Sequence, residues 1–255
     1  MGAGDWLMAA GEARSLHLKT GKKVAIVDRH GRAQWIDLWN GLPYILPRYE
    51  AGALKLLNGP GVRPYILAKL ALRWKWKKYT PRPAEIKFTL DELRFAEPYR
   101  GMVMIEPNTK DIGHTNKAWL WRRWEQVVDA MPGTKFVQCS AGNGGGHLFG
   151  TKLAITPTFR HAAAVLSVCK AFVGTEGGLM HAAAAVGVPG VIIWSEFIAP
   201  EFTGYAMHKN LRHAGQACGN RMNCPGCRRS MEAITVDEVV GALEEILAHE
   251  PDQVR

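Results

Sequence analysis

Residues 172–189 read Phe-Val-Gly-Thr-Glu-Gly-Gly-Leu-Met-His-Ala-Ala-Ala-Ala-Val-Gly-Val-Pro, and their pattern decides the fold. An apolar run stops at a glycine pair, and an alanine-rich helical pattern starts at once over 179–186, closed by Gly187 and Pro189. The next apolar run, 188–194, reads as the following strand. The same rhythm extends upstream: a strand at 102–105, a helix at 118–130, a strand at 135–139, a Gly-rich loop at 140–146, and a helix at 162–169. An amphipathic helix over 236–248 closes the chain. The strand runs are continuously apolar rather than alternating, the signature of strands buried on both faces. Strand–helix alternation of this kind predicts an α/β fold with a parallel sheet.

The first hundred residues carry a helix pattern over 4–19, ended by Gly21, and a buried-strand pattern over 24–28. Trp35 to Trp39 form a short element closed by Asn40-Gly41-Leu42-Pro43, and residues 58–64 have loop chemistry. The Glu97-Pro98 turn and Gly101 mark a boundary, giving units of 1–98 and 99–255. Each is expected to be a small Rossmann-like layer facing the other across a cleft. No internal repeat is visible.

Composition narrows the class. The chain has 255 residues, 47% of them hydrophobic and 22% charged, as expected of a folded protein rather than a disordered tail. No apolar run reaches the roughly 18 residues that a membrane span needs. The N-terminus lacks the basic-then-apolar order of a signal peptide, so a cytoplasmic location is expected. Five cysteines, an odd number, argue against a disulfide-stapled module. The formal net charge of +9 is uneven: residues 1–100 hold 18 Lys+Arg against 9 Asp+Glu, and the rest are balanced at 14 each. A basic half beside a neutral one points to an anionic partner, or to a basic surface that only aids solubility.

The Glu176-Gly177-Gly178 turn also carries chemistry. Unpaired N–H groups and a partial positive charge at a helix start suit a diphosphate. Glu176 is placed to accept from hydroxyls of a ribose or sugar, and His181 to donate to a phosphate oxygen. The plain alternative is a tight strand-to-helix turn with His181 satisfied in the core. A cysteine group, Cys218 with Cys224-Pro-Gly-Cys227, lies near His213 and could make a structural zinc site; reduced thiols in a loop are the other reading. Cys139 and Cys169 read as core packing. Arg73-Trp74-Lys75-Trp76-Lys77-Lys78-Tyr79 alternates cations and rings. It could contact phosphates and stack on bases, lie at a lipid headgroup layer, or be an edge strand with Trp74 and Trp76 buried on one face.

Several segments together resemble the family-9 glycosyltransferases, the group that includes the ADP-heptose:lipopolysaccharide heptosyltransferases. The 172–181 segment resembles their Asp-Ser/Thr-Gly-x-x-His block. Gly4-Asp5 before Leu7-Met8-Ala9 resembles their opening Gly-Asp turn and helix. Asn40-Gly-Leu-Pro-Tyr-Ile45 resembles an Asn-Pro-Tyr-Ile stretch, and Lys117-Ala-Trp119 a Lys-x-Trp element. Residues 230–239, Ser-Met-Glu-Ala-Ile-Thr-Val-Asp-Glu-Val, resemble a Cys-Met-x-x-Ile-Thr-x-x-x-Val ending.

The resemblance implies a GT-B-like fold: an acceptor-binding domain at 1–98, reduced in size, and a nucleotide-sugar domain at 99–255. It implies Asp5 as the base of an inverting transfer that needs no metal, and Lys117 as the neutraliser of the diphosphate leaving group. Glu176, Gly177, Gly178 and His181 would help bind the donor. The acceptor would lie against the basic half, with Arg73, Trp74, Lys75, Trp76, Lys77 and Lys78 as candidate contacts. Two departures stand out: Glu176 replaces Asp, and Gly177 replaces the hydroxyl residue. The chain is also short, chiefly in the acceptor half, as in phage-borne members, and no strand precedes Asp5. A phosphorylated lipopolysaccharide core fits as acceptor, with peripheral contact at the inner membrane. Hydroxymethylated DNA and a non-catalytic nucleic-acid-binding role are the alternatives.

Overall fold

A computed structural model describes residues 1–60, 62–109, 115–142, 145–213 and 215–249. The chain opens with helix α1 (Ala3–Thr20) and strands β1 (Val24–Val27), β2 (Leu54–Leu57), β3 (Ile66–Lys69) and β4 (Trp74–Trp76). Helix α2 (Leu90–Ala96) leads to β5 (Val103–Glu106), α3 (Trp121–Ala130), β6 (Phe136–Ser140), β7 (Lys152–Ile155) and α4 (Phe159–Ser167). Then come β8 (Ala171–Thr175), α5 (Gly178–Val186), β9 (Gly190–Ile193), α6 (Pro200–Thr203), β10 (Lys209–Leu211), α7 (Pro225–Ala233) and α8 (Val236–Ala248).

Six of these strands form one parallel sheet in the order β10-β9-β8-β5-β6-β7. Its central strands β5, β8 and β9 are apolar on both faces. Val103, Ile105, Ala171, Val173, Val191 and Ile193 point into the core with α3 and α8, while Met104, Phe172 and Ile192 point into the core with α1, α4 and α5. That double burial explains the unbroken apolar runs in the sequence. The chain winds from β5 outward through β6 and β7, then returns to the other side of β5 at β8. The order therefore reverses between β5 and β8, where open α/β sheets leave a crevice beyond their strands' carboxyl ends.

The first hundred residues are built more sparingly. β1 and β2 pair in parallel, and β3 and β4 form a separate antiparallel hairpin with a register shift between Ile66 and Ala68. The expected Rossmann-like layer is thus cut down to two parallel strands among the described residues. It shares a core with the larger sheet, since Leu7, Met8, Val24, Ile26 and Trp39 belong to the same apolar cluster as Phe172, Met180 and Trp194. Arg160, buried at the start of α4, adds a polar tie. Its Nε and Nη2 donate to the Glu92 carboxylate at 2.6 and 2.7 Å, and the guanidinium also donates to the carbonyls of Asp37 (3.0 Å) and Lys87 (2.6 Å).

Candidate active site

A cleft of about 850 Å³ opens beyond the carboxyl ends of β5, β6, β7 and β8. It lies at the reversal of strand order, and the N-termini of α1 and α5 both face it, with Gly2, Gly4, Gly177 and Gly178 in its lining. The two helices approach closely because Gly4 has no side chain: a Cβ there would lie 2.4 Å from Cδ2 of His181. Two partly positive helix ends thereby converge on one space.

Asp5 sits in the first turn of α1 and lines this cleft. Its Oδ2 accepts from the Gly2 N–H at 2.9 Å and pairs with Nη2 of Arg63 at 2.9 Å. Its Oδ1 accepts from the Tyr65 hydroxyl. Burial, followed by the Asp5 charge, drives the Tyr65 hydroxyl well above its ordinary pKa, so the tyrosine keeps its proton. A carboxylate offers about four lone-pair sites. Three are engaged among the described residues, which leaves one on Oδ1. Sequence patterns gave no hint of Arg63 or Tyr65, which lie in the loop and turn before β3, roughly sixty residues from their partner.

Lys117, also in the cleft lining, forms an ion pair with Glu176 at the end of β8, and its Nζ lies 5.1 Å from the centre of the Phe197 ring. An ammonium carries three donors, so this pairing leaves others for a ligand. The neighbouring Asn116 fixes the lysine's position. Its amide donates to the carbonyls of Asn220 and Met222, both at 2.7 Å, and its Oδ1 accepts from the Cys224 N–H at 2.9 Å.

His181 is 2% exposed, and burial lowers its pKa to about 4, so the ring is neutral at pH 7. Its Nδ1 lies 2.9 Å from the Tyr205 hydroxyl. That hydroxyl is itself buried, its pKa is raised by desolvation, and Nδ1 is its hydrogen-bond partner among the described residues. The tyrosine therefore donates, and the histidine proton is assigned to Nε2, on the side of Gly4 and the cleft. His181 is thus buried and also part of the cleft lining. Glu106, at the end of the central strand β5, also lines the cleft. Burial raises its carboxyl to about 7 against opposing hydrogen bonds from Asn108, so near neutrality it spends much of its time uncharged.

The basic–aromatic stretch takes the form of its edge-strand reading, with Trp74 and Trp76 packed against the core. Of its six candidate residues only Trp74 lines the cleft. Trp76 turns inward, its Nε1 donating to the Phe197 carbonyl at 2.8 Å, and Arg73 Nε donates to the Cys218 carbonyl at 2.6 Å. Lys75, Lys77 and Lys78 are exposed. The cations that gather round Trp74 are Lys69, Arg221 and Arg63, at 5.2, 5.4 and 5.9 Å from its ring.

Cys218, Cys224 and Cys227 come together with their sulfurs within 4.8 Å of one another. His213 does not join them: its Nε2 meets Glu238 Oε1 at 2.6 Å beside the start of α8, which corrects its reading as a fourth ligand. The Cys218 sulfur is 3.5 Å from that of Cys227 and 3.9 Å from that of Cys224. Three ligands about 2.3 Å from a tetrahedral centre would be about 3.8 Å apart, so these thiols could hold a metal. Hydrogen bonding from Cys227 lowers the Cys218 thiol to about 6.

The sequence pattern of glycosyltransferase family 9 (heptosyltransferase) matches residues 67–232. The chain belongs to this family. Solved structures of similar fold include the glycosyltransferase of family 9 from Veillonella parvula, at 14% identity and a TM-score of 0.50, covering 67% of this chain and 56% of that one. ADP-heptose lipopolysaccharide heptosyltransferase II of E. coli is 17% identical with a TM-score of 0.49, covering 66% and 56%. The iron-containing dodecameric glycosyltransferase TibC of enterotoxigenic E. coli is 16% identical with a TM-score of 0.48, covering 66% and 49%. No curated protein matches the sequence. This family-9 chain spans about half the length of these solved structures, and the matched region includes the six-stranded sheet, the glycine pair and Lys117, but not Asp5.

Proposed function

We propose that this chain transfers a sugar from a nucleotide-sugar donor of the ADP-heptose class to a hydroxyl of an anionic acceptor, such as a phosphorylated lipopolysaccharide core. The observation that carries the reading is that Asp5 shares one cleft with Lys117, Gly177, Gly178 and His181, a cation and an amide-rich helix start. Asp5 takes the acceptor hydroxyl's proton through the open site on Oδ1, and the freed oxygen attacks the anomeric carbon. The bond from that carbon to the diphosphate breaks with inversion, and the nucleoside diphosphate leaves with the electron pair. Lys117 and the α5 amides supply positive charge where the leaving group becomes more negative. His181 donates from Nε2, and Glu176 accepts from donor hydroxyls.

The acceptor role falls to residues 1–98 and the donor role to 99–255, working at the cytoplasmic face of the inner membrane. The cations around Trp74 at the cleft favour an anionic acceptor. Inward-turned Trp76 and cation-flanked Trp74 favour a glycan over a DNA base, which would need a free ring to stack on.

Calorimetric titration with ADP tests the donor half of this reading. Binding is expected, and Lys117→Ala should weaken it by roughly 10- to 100-fold, the loss of one charge-assisted contact. Absence of ADP binding, or an unaffected Lys117→Ala chain, would reject it.

The thiol cluster is read as a structural site for a thiophilic metal such as zinc or iron, apart from the chemistry. It braces the loop that Asn116 ties to Lys117. Stripping the metal with a chelator should lower the melting temperature on the order of 10 °C. A metal-free preparation with unchanged melting would remove the assignment.

A further inference from the structure

The β3–β4 hairpin ends in Leu70-Ala71-Leu72-Arg73, and its apolar side chains are out of the core. Leu67 is 66% exposed, Leu70 51% and Leu72 61%. Met222 joins them, 57% exposed, because the Arg221 N–H donates to the Leu72 carbonyl at 2.9 Å and carries the 221–222 segment against the tip. Isolated exposed leucines are ordinary; four large apolar side chains on one projection are not.

The projection is braced. The Leu70 N–H donates to the Arg73 carbonyl at 2.9 Å, closing the hairpin. The Trp74 N–H donates to the Gly219 carbonyl at 2.8 Å. Gly219 has a φ of 62°, and a Cβ there would strike the Trp74 carbonyl, so only glycine fits this brace. A tip held in this way presents its leucines instead of folding them away. Along the strand behind it, Trp74 and Trp76 face inward while Lys75 and Lys77 face solvent.

We infer that this hairpin tip is a docking surface for an anionic phospholipid bilayer, with Leu70, Leu72 and Met222 entering the acyl boundary and Lys75 and Lys77 lying at the headgroups. Charge and shape together select that occupant. Aliphatic side chains gain by leaving water for hydrocarbon, and lysines beside them gain at a negative surface. A nucleic acid would use the same lysines but has nothing for the leucines, and the indoles are turned away from it. Trp74 both belongs to this hairpin and lines the cleft. Docking through the tip would thus bring the cleft to the membrane surface, where a lipid-linked acceptor lies. The inference deepens the peripheral-membrane part of the proposed function. Its test is separate, since vesicle binding is read without turnover and ADP binding without vesicles.

The experiment is co-sedimentation of the full chain with sucrose-loaded vesicles, either of phosphatidylcholine containing phosphatidylglycerol or of phosphatidylcholine alone. The chain should bind the anionic vesicles preferentially. Leu70→Ser/Leu72→Ser should weaken that binding by at least ~10-fold, and Lys75→Glu/Lys77→Glu by a similar ~10-fold, with melting temperature and ADP affinity unchanged. Three results would overturn it: no binding to anionic vesicles, binding by the serine variant equal to that of the parent, or binding of duplex DNA that falls with the same two leucines.

Discussion

Replacing Asp5 with asparagine should lower turnover by about 10²- to 10⁴-fold, the span associated with a positioned general base, while ADP affinity changes little. Asparagine keeps the side chain's size, and its carbonyl oxygen can still accept from the Tyr65 hydroxyl, while its NH2 cannot accept from the Gly2 N–H that Oδ2 now serves. What it lacks is a carboxylate oxygen able to take a proton from an attacking hydroxyl. The substitution also leaves Arg63 without its anionic partner, now 2.9 Å away, so some loss of stability accompanies it and melting must be followed alongside kinetics. The split between constants separates the two effects. A base acts only in the transition state, so kcat should fall with KM for the donor nearly unchanged, whereas a general loosening of the cleft would raise KM as well. Arg63→Met tests the same constellation from the other side. It removes the clamp and spares the carboxylate, so it should cost much less turnover than Asp5→Asn. Turnover of the Asp5→Asn chain within a few-fold of the parent would end Asp5's assignment as base.

The part of the site built by residues 99–255 is more legible in sequence than the part built by the first hundred, and the reason lies in how each is built. The glycine pair before α5, the strand before it and the helix over 236–248 all follow from local pattern, and the structure places them as expected. A buried parallel strand must be apolar on both faces and a helix start must leave amides free, so each writes its position into a few neighbouring residues. In the hairpin of β3 and β4 only the alternation around Trp74 and Trp76 is legible, as an edge strand with both indoles on one face beside other readings. Its inward and outward residues are set by packing against Phe197 and the 218–221 segment, more than a hundred residues downstream. β2 and β7 escaped notice because both are half exposed and flanked by polar residues, which blurs the apolar run. The contacts of Asp5 with Arg63 and Tyr65, and of Lys117 with Glu176, join segments about sixty residues apart, a link that periodicity does not carry. The cysteine cluster shows both sides of the limit. The Cys-x-x-Cys spacing placed two sulfurs correctly, yet His213, near in sequence, is taken up by Glu238 at the start of α8.

Arg160 is the residue whose loss should cost most in stability, and nothing in the local sequence marks it. Its side chain is 6% exposed and that of Glu92 9%, so both charges are held away from water and each depends on the other. Arg160→Met keeps most of the stem's volume but leaves the Glu92 carboxylate and the carbonyls of Asp37 and Lys87 short of a donor. Breaking a buried pair from one side costs about 3–5 kcal/mol, which in a chain of this size lowers the melting temperature by roughly 10 °C. Arg160→Met/Glu92→Met should recover part of that loss, because it removes the stranded charge though not the two unpaired carbonyls. Acid sensitivity gives a second readout. Burial pushes the Glu92 carboxyl up, but hydrogen bonds from Arg160 and Thr89 outweigh it and hold the pKa below its ordinary 4.5. A carboxyl lowered on folding contributes stability that is complete above its unfolded pKa and is lost as pH falls through the folded value. In Arg160→Met only burial and Thr89 act on it, so the folded value rises and the acid loss begins at a higher pH. Urea unfolding of the three chains between neutral and acid pH measures both effects. Equal stability of Arg160→Met and the parent across that range would show that the tie between α4 and α2 carries no energy. In that case the shared apolar core and the hydrogen bonds of the hairpin to Phe197 and the 218–221 segment join the first hundred residues to the rest.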